Sequence, residues 1–263
     1  MAASLKGSVR ACHPEDAEPA AFEPAQGAPV DRGHRDFDTF ENPPDDIQMK
    51  IVDSRIKPTF ELEAAELALG RGPVAGIDEA GRGPWAGPVV AAAVILDPDR
   101  IPAGIDDSKA LDEDAREIVY RRIAESGAMI AVGVADVERI DRDNILNATY
   151  WAMTEAFHAL GQRPRLALID GNRGPRLPCE MRPIVKGDAK CLSIAAASIV
   201  AKVTRDRMMI ALEREYPGYG FGRHKGYGTP EHKDALQRLG VCPLHRRSFR
   251  PIQLALGLAS DVA

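Results

Sequence analysis

The segment Pro88–Leu96 reads PVVAAAVIL, a continuous apolar run with turn residues on both sides. A run of this length and composition predicts a β-strand. Other short strands are predicted at residues 74–77, 129–137, 166–169 and 182–185. Helical spacing of apolar side chains predicts helices at residues 112–126, 143–160, 193–215 and 230–239. Early strands followed by strand–helix units predict an α/β fold, a mixed sheet with helices on its faces.

The composition suits such a domain and argues against several classes of protein. Hydrophobic residues make up 44% of the 263 residues, and no apolar run approaches the roughly 18 residues of a membrane span. The N-terminus lacks the basic-then-apolar pattern of a secretory signal. We therefore expect a cytoplasmic protein with no membrane partner. The scattered cysteines contain no CxxC pair, which predicts free thiols at Cys12, Cys179, Cys191 and Cys242.

The two ends of the chain differ from its middle. Residues 1–57 are rich in Ala, Pro and acidic side chains without sustained periodicity, which predicts a disordered N-terminal extension. One short helix is predicted between Phe60 and Leu69. We expect the catalytic domain to occupy residues 70–255 and a C-terminal tail to occupy residues 256–263.

Charge is unevenly distributed along the chain. Residues 176–250 carry 15 basic against 7 acidic side chains, whereas residues 58–175 carry 12 basic against 20 acidic ones. A basic surface of this size can follow a phosphate backbone, but solvated helix faces give the same count. Charge alone therefore does not choose between a nucleic-acid-binding surface and ordinary helix surfaces.

Acidic residues stand at the carboxyl ends of three predicted strands. Asp78 and Glu79 follow the first strand, Asp170 the fourth and Asp188 the fifth. Sites in open α/β sheets form at this edge. Carboxylates that met there would repel one another without a cation between them, and oxygen ligands without His or Cys suit Mg²⁺ or Mn²⁺. Two such ions can activate a water and stabilise the leaving oxygen in phosphodiester hydrolysis.

Structural explanations compete with this chemistry at each position. Asp170-Gly171-Asn172 is also a common turn sequence, and Asp188 could cap the helix that follows it. The pair Asp78-Glu79 is harder to explain in this way, because adjacent acids after a buried strand are costly without partners. The Gly81-Arg82-Gly83 turn could bind a dinucleotide phosphate, but the GxGxxG pattern is absent.

Seven blocks of the sequence form a more specific pattern. The first is GIDEAGRGPWAGPVVAAAVIL at Gly76–Leu96. The others are DDSKAL (106–111), DRDNILNATYWAM (141–153), LIDGN (168–172), KGDAKCLSIAAASIVAKVTRDR (186–207), GFGRHKGYGTPEH (220–232) and HRRSF (245–249). Together, and in this order, the blocks resemble the bacterial ribonuclease HII family over nearly the whole predicted domain.

The resemblance implies a ribonuclease H-like fold: a five-stranded mixed sheet, three antiparallel strands and then two parallel ones, flanked by helices, with further C-terminal helices. The family's four catalytic, metal-binding acids correspond to Asp78, Glu79, Asp170 and Asp188. The implied activity is hydrolysis of the RNA strand of RNA/DNA hybrids and nicking 5′ of ribonucleotides embedded in duplex DNA. The implied mechanism uses two Mn²⁺ or Mg²⁺ ions and leaves 5′-phosphate and 3′-hydroxyl ends.

The resemblance also implies substrate contacts. The Gly81-Arg82-Gly83 turn resembles the family element that recognises a ribonucleotide, and its glycines would let backbone groups approach the 2′-hydroxyl. Tyr227 matches the family tyrosine that stacks on the sugar. The small apolar segment Ser193–Ala201 is expected to pack beneath the site without touching substrate. Basic side chains expected to contact phosphates are Lys109, His224, Lys225 and Arg205.

Other interpretations stay open at this point. A non-catalytic nucleic-acid-binding relative of the same fold is an alternative, although it would not need all four acids. An integrase or junction resolvase of the wider fold would cut pure DNA. The related ribonuclease HIII group is disfavoured, because it typically has Glu where this chain has Asp188.

The expected partners are RNA/DNA hybrid and ribonucleotide-containing duplex DNA, bound by a monomer. The tail segment Ile252–Leu256 faintly resembles the short peptides that bind replication sliding clamps. A frayed helix end is the simpler explanation of this segment, so the clamp contact is expected to be weak if it forms.

Overall fold

The computed structural model describes residues 57–259, which contain one five-stranded sheet in the order β3-β2-β1-β4-β5. The strands are β1 (Val74–Ala80), β2 (Val89–Ile95), β3 (Met129–Ala135), β4 (Leu166–Asp170) and β5 (Glu180–Ile184). Pairing is antiparallel between β1 and β2 and between β2 and β3, whereas β4 runs parallel to both β1 and β5. The predicted mixed sheet is confirmed.

Helices cover the sheet and extend beyond it. They are α1 (Glu61–Ala68), α2 (Glu113–Glu125), α3 (Val137–Asp143), α4 (Ile145–His158), α5 (Leu192–Glu215), α6 (Phe221–His224), α7 (Pro230–Leu239) and α8 (Arg250–Ala255). A single 3₁₀ turn, Gly187–Ala189, precedes α5. None of the helices in residues 57–259 is long and apolar enough to cross a membrane. The predicted N-terminal extension lies outside the described residues, except for Lys57.

The strand β2 is apolar throughout because both of its faces are buried. Val89, Ala91 and Ala93 pack in the core layer that contains the apolar side of α4. The alternate residues Ala92 and Val94 pack in the opposite layer, against α2 and α5. Side chains on a strand point alternately to the two faces, so a strand covered by helices on both faces has no polar positions.

The helix α5 lies unusually close to β1. A Cβ atom built on Gly76 would collide with the backbone of Ser193 and Ile194 at the start of this helix. All residues of the segment Ser193–Ala201 are buried. The expected close packing of this small apolar segment is therefore confirmed, and it is possible only because the strand has glycine at this position.

The third strand is shorter than expected. It was predicted to continue to Val137 but ends at Ala135, because the Asp136 side chain accepts a hydrogen bond from the backbone N–H of Arg139 and starts α3. This is the usual geometry of an N-terminal helix cap. The short helix α3 was not predicted, because its first residue, Val137, was assigned to the preceding strand.

The next helix starts later than expected for a related reason. Asn144 has a left-handed φ of 66°, and its side-chain oxygen accepts hydrogen bonds from the N–H groups of Leu146 and Asn147. Asn tolerates this conformation better than most residues, so the chain breaks between α3 and α4 here. A single helix was predicted over residues 143–160. In the structure Asp143 is the last residue of α3, and the separate helix α4 covers Ile145–His158.

Replacing Gly76 with Ala is expected to lower the free energy of unfolding by about 1–3 kcal/mol, because the added methyl group overpacks the contact between β1 and α5. Gly161→Ala is the matched control, since Gly161 is exposed and an added Cβ would meet no atom within 4 Å. Urea denaturation followed by circular dichroism compares the two variants. Equal stabilities would contradict this account of the packing.

Candidate active site

Two of the predicted acids lie side by side at the carboxyl ends of parallel strands. Ile77 of β1 pairs with Ile169 of β4, so Asp78 and Asp170 occupy the next position on each strand. Residues two apart on a strand point to the same face, so Asp78 lies on the face of Gly76, which contacts α5. Asp170 occupies the neighbouring position on β4 and lies on this face as well. Asp78 is only 4% exposed.

The loop after β5 brings the fourth acid towards the third. The backbone N–H of Gly187 donates to Oδ1 of Asp170 at 2.7 Å, and Asp188 follows it in the 3₁₀ turn. The Asp188 side chain is buried, and its Oδ2 accepts a hydrogen bond from Nζ of Lys109 at 2.8 Å. Lys109 belongs to a different loop, so this ion pair ties two segments together at the edge of the sheet.

The remaining acid, Glu79, neighbours Asp78 on β1. Its Oε1 lies 3.3 Å from Nη1 of Arg82, in the turn that follows the strand. The Asp78 side chain in turn accepts a hydrogen bond from the backbone N–H of Glu79 at 2.7 Å. Asp78 and Glu79 were expected to follow the strand. In the structure both belong to β1, where they pair with Ala92 and Ala91 of β2.

Burial and mutual repulsion govern the electrostatics of these acids. Burial raises the pKa of Asp78 well above the usual carboxyl value, and the charges of Glu79 and Asp170 raise it further. Burial also raises the pKa of Glu79, against the opposing effect of Arg82. The pKa of Asp170 is raised by burial and by the nearby Asp188. The acids are thus held where their negative charge is unfavourable without a cation.

The donor set fits a hard divalent cation, because it consists of carboxylate oxygens without His or Cys. Among residues 57–259, no group of three or more His, Cys, Asp or Glu side chains stands in positions that could hold a metal ion, so the four acids would have to move closer together around one. The Lys109 ammonium supplies positive charge within the cluster. Burial opposes its charged form, but the contact with Asp188 raises the pKa of Lys109 overall.

Three of the four acids, Asp78, Glu79 and Asp170, border a cavity of about 320 Å³, and Asp188 reaches it only through its contact with Lys109. The glycine-rich turn 81–83 and Tyr227 also line it, as do Ser108 and Lys109. From α5 it receives Ser198, Lys202 and Arg205. This i, i+4, i+7 spacing places the three on one helix face. The expectation that Ser193–Ala201 only packs beneath the site is therefore incomplete, because Ser198 lines the cavity, and a hydroxyl within this apolar segment was the signal in the sequence.

The glycine-rich turn lies beside Tyr227 in the lining of this cavity. A Cβ atom on Gly83 would lie 3.7 Å from Cε1 of Tyr227, whose side chain is 46% exposed. Gly81 has a φ of +96°, and a Cβ atom there would collide with the side chain of Arg205. The turn thus requires glycine both for its backbone conformation and for its contact with the helix behind it.

A buried arginine holds the glycine-rich turn from behind. The Arg246 guanidinium is inaccessible and donates hydrogen bonds to the carbonyl oxygens of Gly81 (2.6 Å), Arg82 (3.0 Å), Gly87 (2.8 Å) and Pro88 (3.1 Å). Burial lowers the pKa of Arg246 to about 9. The sequence block HRRSF contains this residue, but nothing in its spacing indicated which of the two arginines would be buried.

Arg205 has a similar role. Its guanidinium donates to the carbonyl oxygens of Pro88 (2.9 Å), Ala86 (3.2 Å) and Lys225 (2.9 Å). The residue is 1% exposed, and burial lowers its pKa to about 10. A contact between Arg205 and phosphate stays a prediction, and the structure gives three of its N–H groups carbonyl partners within the protein.

His224 and Lys225 lie outside the cavity lining. Nε2 of His224 is 2.8 Å from the carbonyl oxygen of Tyr219, and Nζ of Lys225 donates to the carbonyl oxygen of Gly222 at 2.5 Å. Both residues are buried. Their contact with phosphate stays a prediction, and the structure gives each of them another partner. Lys109, by contrast, lines the cavity and has a largely exposed side chain.

The fold and the acid-lined cavity define a class of nuclease, and comparisons with known proteins agree. The Ribonuclease HII family model matches residues 75–252. A relative from Azorhizobium caulinodans named Ribonuclease HII is 57% identical over 195 residues, which are 74% of this chain and 75% of the relative.

Two solved structures are similar in fold. One is the ribonuclease H2 from Pyrococcus horikoshii OT3, with a TM-score of 0.60 and 27% identity over 69% of this chain and 96% of that chain. The other is the PCNA:RNase HII complex from Archaeoglobus fulgidus, with a TM-score of 0.59 and 26% identity over 70% of this chain and 96% of that chain.

The chain belongs to the ribonuclease HII family. It is a nuclease of the ribonuclease H class, which hydrolyses the RNA strand of RNA/DNA hybrids.

Arg246→Met is expected to destabilise the protein by about 3 kcal/mol or more, because several buried carbonyl groups lose their donor at once and each costs about 1–3 kcal/mol. Arg247→Met is the matched control at the neighbouring, exposed arginine. Chemical denaturation gives both values. A loss no larger than that of the control would show that the buried guanidinium does not support the turn.

Asp78→Asn is expected to stabilise the metal-free protein at neutral pH by about 0.5–2 kcal/mol, since it removes a buried charge that repels its neighbours. In the wild type, a raised pKa in the folded state means that stability is greatest below the ordinary carboxyl pKa and falls as pH rises through the raised value. This decline is expected to be weaker in Asp78→Asn.

Thermal denaturation in chelator across a pH series measures this effect. Asp99→Asn, at an exposed carboxylate, is the control. A lower stability of Asp78→Asn than of wild type in chelator at neutral pH would contradict the electrostatic account.

Proposed function

We propose that this protein is a metal-dependent endonuclease that nicks duplex DNA 5′ of an embedded ribonucleotide and also cuts longer RNA/DNA hybrids. One observation carries the proposal. A cavity bordered by Asp78, Glu79 and Asp170 is also lined by the glycine-rich turn 81–83 and by Tyr227. A phosphate beside the acids would thus have its sugar next to groups able to recognise a 2′-hydroxyl.

Four side chains would hold the divalent ions, Mg²⁺ or Mn²⁺: Asp78, Glu79, Asp170 and Asp188. When bound, a pair of such ions supplies Lewis acidity towards the scissile phosphate and the water that attacks it. The protein itself fixes the carboxylate positions: strand pairing orients Asp78 and Asp170, and the Gly187 N–H orients Asp170. The expected products carry 5′-phosphate and 3′-hydroxyl ends.

Recognition of the ribonucleotide is assigned to the turn and the tyrosine. Gly83 places no side chain between the turn and Tyr227, so a sugar can approach the backbone there. The carbonyl groups of Gly81 and Arg82 already accept hydrogen bonds from Arg246, which fixes the turn. The exposed ring of Tyr227 presents a flat face and a hydroxyl beside Gly83. The Lys109 ammonium stands at the acidic edge, where it can also contact a phosphate.

The competing interpretation is a binding module without catalysis. The burial of Asp78 beside Glu79 and Asp170 speaks against it, because a binding module gains nothing from keeping a charged carboxylate in an unfavourable environment.

A contact between the tail and a sliding clamp is a second candidate partner, motivated by the similar fold of the Archaeoglobus protein in its PCNA complex. Ile252 is fully buried, so the segment Ile252–Leu256 as folded lacks its first apolar anchor. Leu256 and Leu258 are exposed. A pull-down with the clamp, comparing wild type with Leu258→Ser, tests this contact. Equal capture would exclude Leu258 from it.

The decisive experiment uses a DNA duplex with a single embedded ribonucleotide. With Mg²⁺ or Mn²⁺ we expect cleavage on the 5′ side of the ribonucleotide, and no cleavage of the same duplex made wholly of DNA. Mapping of the labelled products on a denaturing gel identifies the site and the end groups. Cleavage of the all-DNA duplex would favour a resolvase-type nuclease instead, and inactivity with both metals would exclude the proposal.

Asp170→Asn is expected to abolish cutting while leaving duplex binding nearly intact. Losing a group that merely orients a metal ligand costs about 10–100-fold, so losing a ligand is expected to cost more. Single-turnover kinetics measure cleavage, and fluorescence anisotropy measures binding. Asp99→Asn serves as the control for the same substitution at an exposed site. Wild-type cleavage by Asp170→Asn would remove this residue from the metal site.

A further inference from the structure

Three histidines meet in a buried cluster beneath the loop that carries Tyr227. His224, His232 and His245 are 9%, 0% and 1% exposed. The rings of His224 and His232 are stacked, with centroids 4.6 Å apart, and the centroids of His232 and His245 are 5.2 Å apart. Phe221 packs against all three rings. None of the three lines the cavity, so the proposed chemistry does not use them directly.

The hydrogen bonds of His232 determine which of its nitrogens carries the proton. Its Nδ1 lies 2.9 Å from the carbonyl oxygen of Tyr227, which can only accept. A neutral His232 therefore has the proton on Nδ1 and a lone pair on Nε2. That Nε2 lies 3.0 Å from Nε2 of His245, so His245 is the donor in this pair.

The chain of hydrogen bonds continues to a backbone group. With its proton on Nε2, His245 has a free lone pair on Nδ1, which accepts the backbone N–H of Cys242 at 3.0 Å. Each member thus donates to the next, from Cys242 through His245 and His232 to the Tyr227 carbonyl. Burial favours the neutral rings, since it lowers the pKa of His232 and lowers that of His245 to about 4.

His224 holds the residue on the other side of the tyrosine. Its Nδ1 accepts the backbone N–H of Gly226 at 3.2 Å, while its Nε2 donates to the Tyr219 carbonyl at 2.8 Å. Gly226 has a φ of +82°, and a Cβ atom there would lie 2.5 Å from the carbonyl oxygen of Ala86. The backbone on both sides of the Tyr227 amide is therefore fixed by stacked imidazoles and by contact with the turn region.

We propose that His232, oriented by His245, is a positioning residue that sets the pose of Tyr227 opposite the glycine-rich turn and so controls the enzyme's response to a ribonucleotide. The inference rests on the proposed function of Tyr227. The His232 ring does not touch the substrate cavity, and it acts through the carbonyl oxygen of Tyr227. Loss of this hydrogen bond leaves the tyrosine in place but less well aligned.

The test compares two substitutions of His232. Phe keeps the ring packing and removes the hydrogen bond, whereas Asn can place an amide N–H near the position of Nδ1. We expect His232→Phe to lower kcat/KM on a duplex with one embedded ribonucleotide by about 10- to 100-fold, the scale of a misplacement of about 1 Å. His232→Asn is expected to recover most of this loss. His158→Phe is the control, since His158 is exposed.

A double-mutant cycle with Tyr227→Ala separates positioning from general stability. If His232 acts through Tyr227, the effect of His232→Phe largely disappears in the Tyr227→Ala background. Additive losses would overturn the inference, because they would show that His232 affects activity by another route. If Tyr227→Ala alone leaves kcat/KM unchanged, the proposed role of Tyr227 fails first, and the inference fails with it.

Folding is monitored by thermal denaturation, and all assays are run well below the lowest melting temperature. If His232→Phe does not fold, His245 carries the same test. His245→Leu removes the donor that orients His232, whereas His245→Gln can place an amide N–H near the position of Nε2. The inference is supported if His245→Leu lowers kcat/KM on the ribonucleotide-containing duplex and His245→Gln retains most of the wild-type value. Equal activities of these two variants would overturn it.

Discussion

The parallel pairing of β1 with β4 is the constraint on which the candidate site depends. It places Asp78 and Asp170 at equivalent positions on neighbouring strands, within the distance that separates paired strands. Two carboxylates in such a place repel each other, and burial adds to the cost. The rest of the fold supplies enough packing energy to keep them there. A site that is electrostatically unfavourable when empty is the expected form of a site that gains stability from a cation.

The two halves of the cavity come from different parts of the chain. The sheet provides the acids, whereas the tyrosine loop belongs to the helices that follow α5. The turn at 81–83 lies between them. Arg205 and Arg246 donate seven hydrogen bonds to five carbonyl oxygens of residues 81–88, and Arg205 donates one more to the carbonyl oxygen of Lys225. Guanidinium suits this purpose because its donors form a rigid planar fork that an ammonium lacks.

Much of the fold could be predicted because its signals are local. Apolar runs showed the strands, and acids at strand ends indicated the edge where a site forms. The boundaries that were missed depend on single caps, Asp136 and Asn144, whose effect is decided by which backbone N–H groups they reach. The proximity of Asp188 to Asp170 needed the loop geometry at Gly187 as well as the strand order.

Tertiary contacts explain what the sequence could not show. A basic residue near a nucleic-acid site is expected to face phosphate, and that reasoning did not reveal that Arg205 also holds carbonyl groups of the protein. The sequence also offered no means of telling that Arg246 is buried and its neighbour Arg247 exposed. The histidine cluster was equally hidden, because its members belong to α6, α7 and the loop after α7 and meet only when these elements pack together.

The continuity of α5 has a consequence for how the family can vary in length. Ser198 lies beside the acids and Arg205 beneath the glycine-rich turn, seven residues and about 10 Å further along the same helix face. Inserting one residue between them would rotate everything downstream by about 100°. The Arg205 guanidinium would then point away from the carbonyl groups that it binds, whereas the start of the helix would still pack against Gly76. One inserted residue in this stretch would therefore separate the support of the glycine-rich turn from the acids, although a substitution that preserves the helix would not.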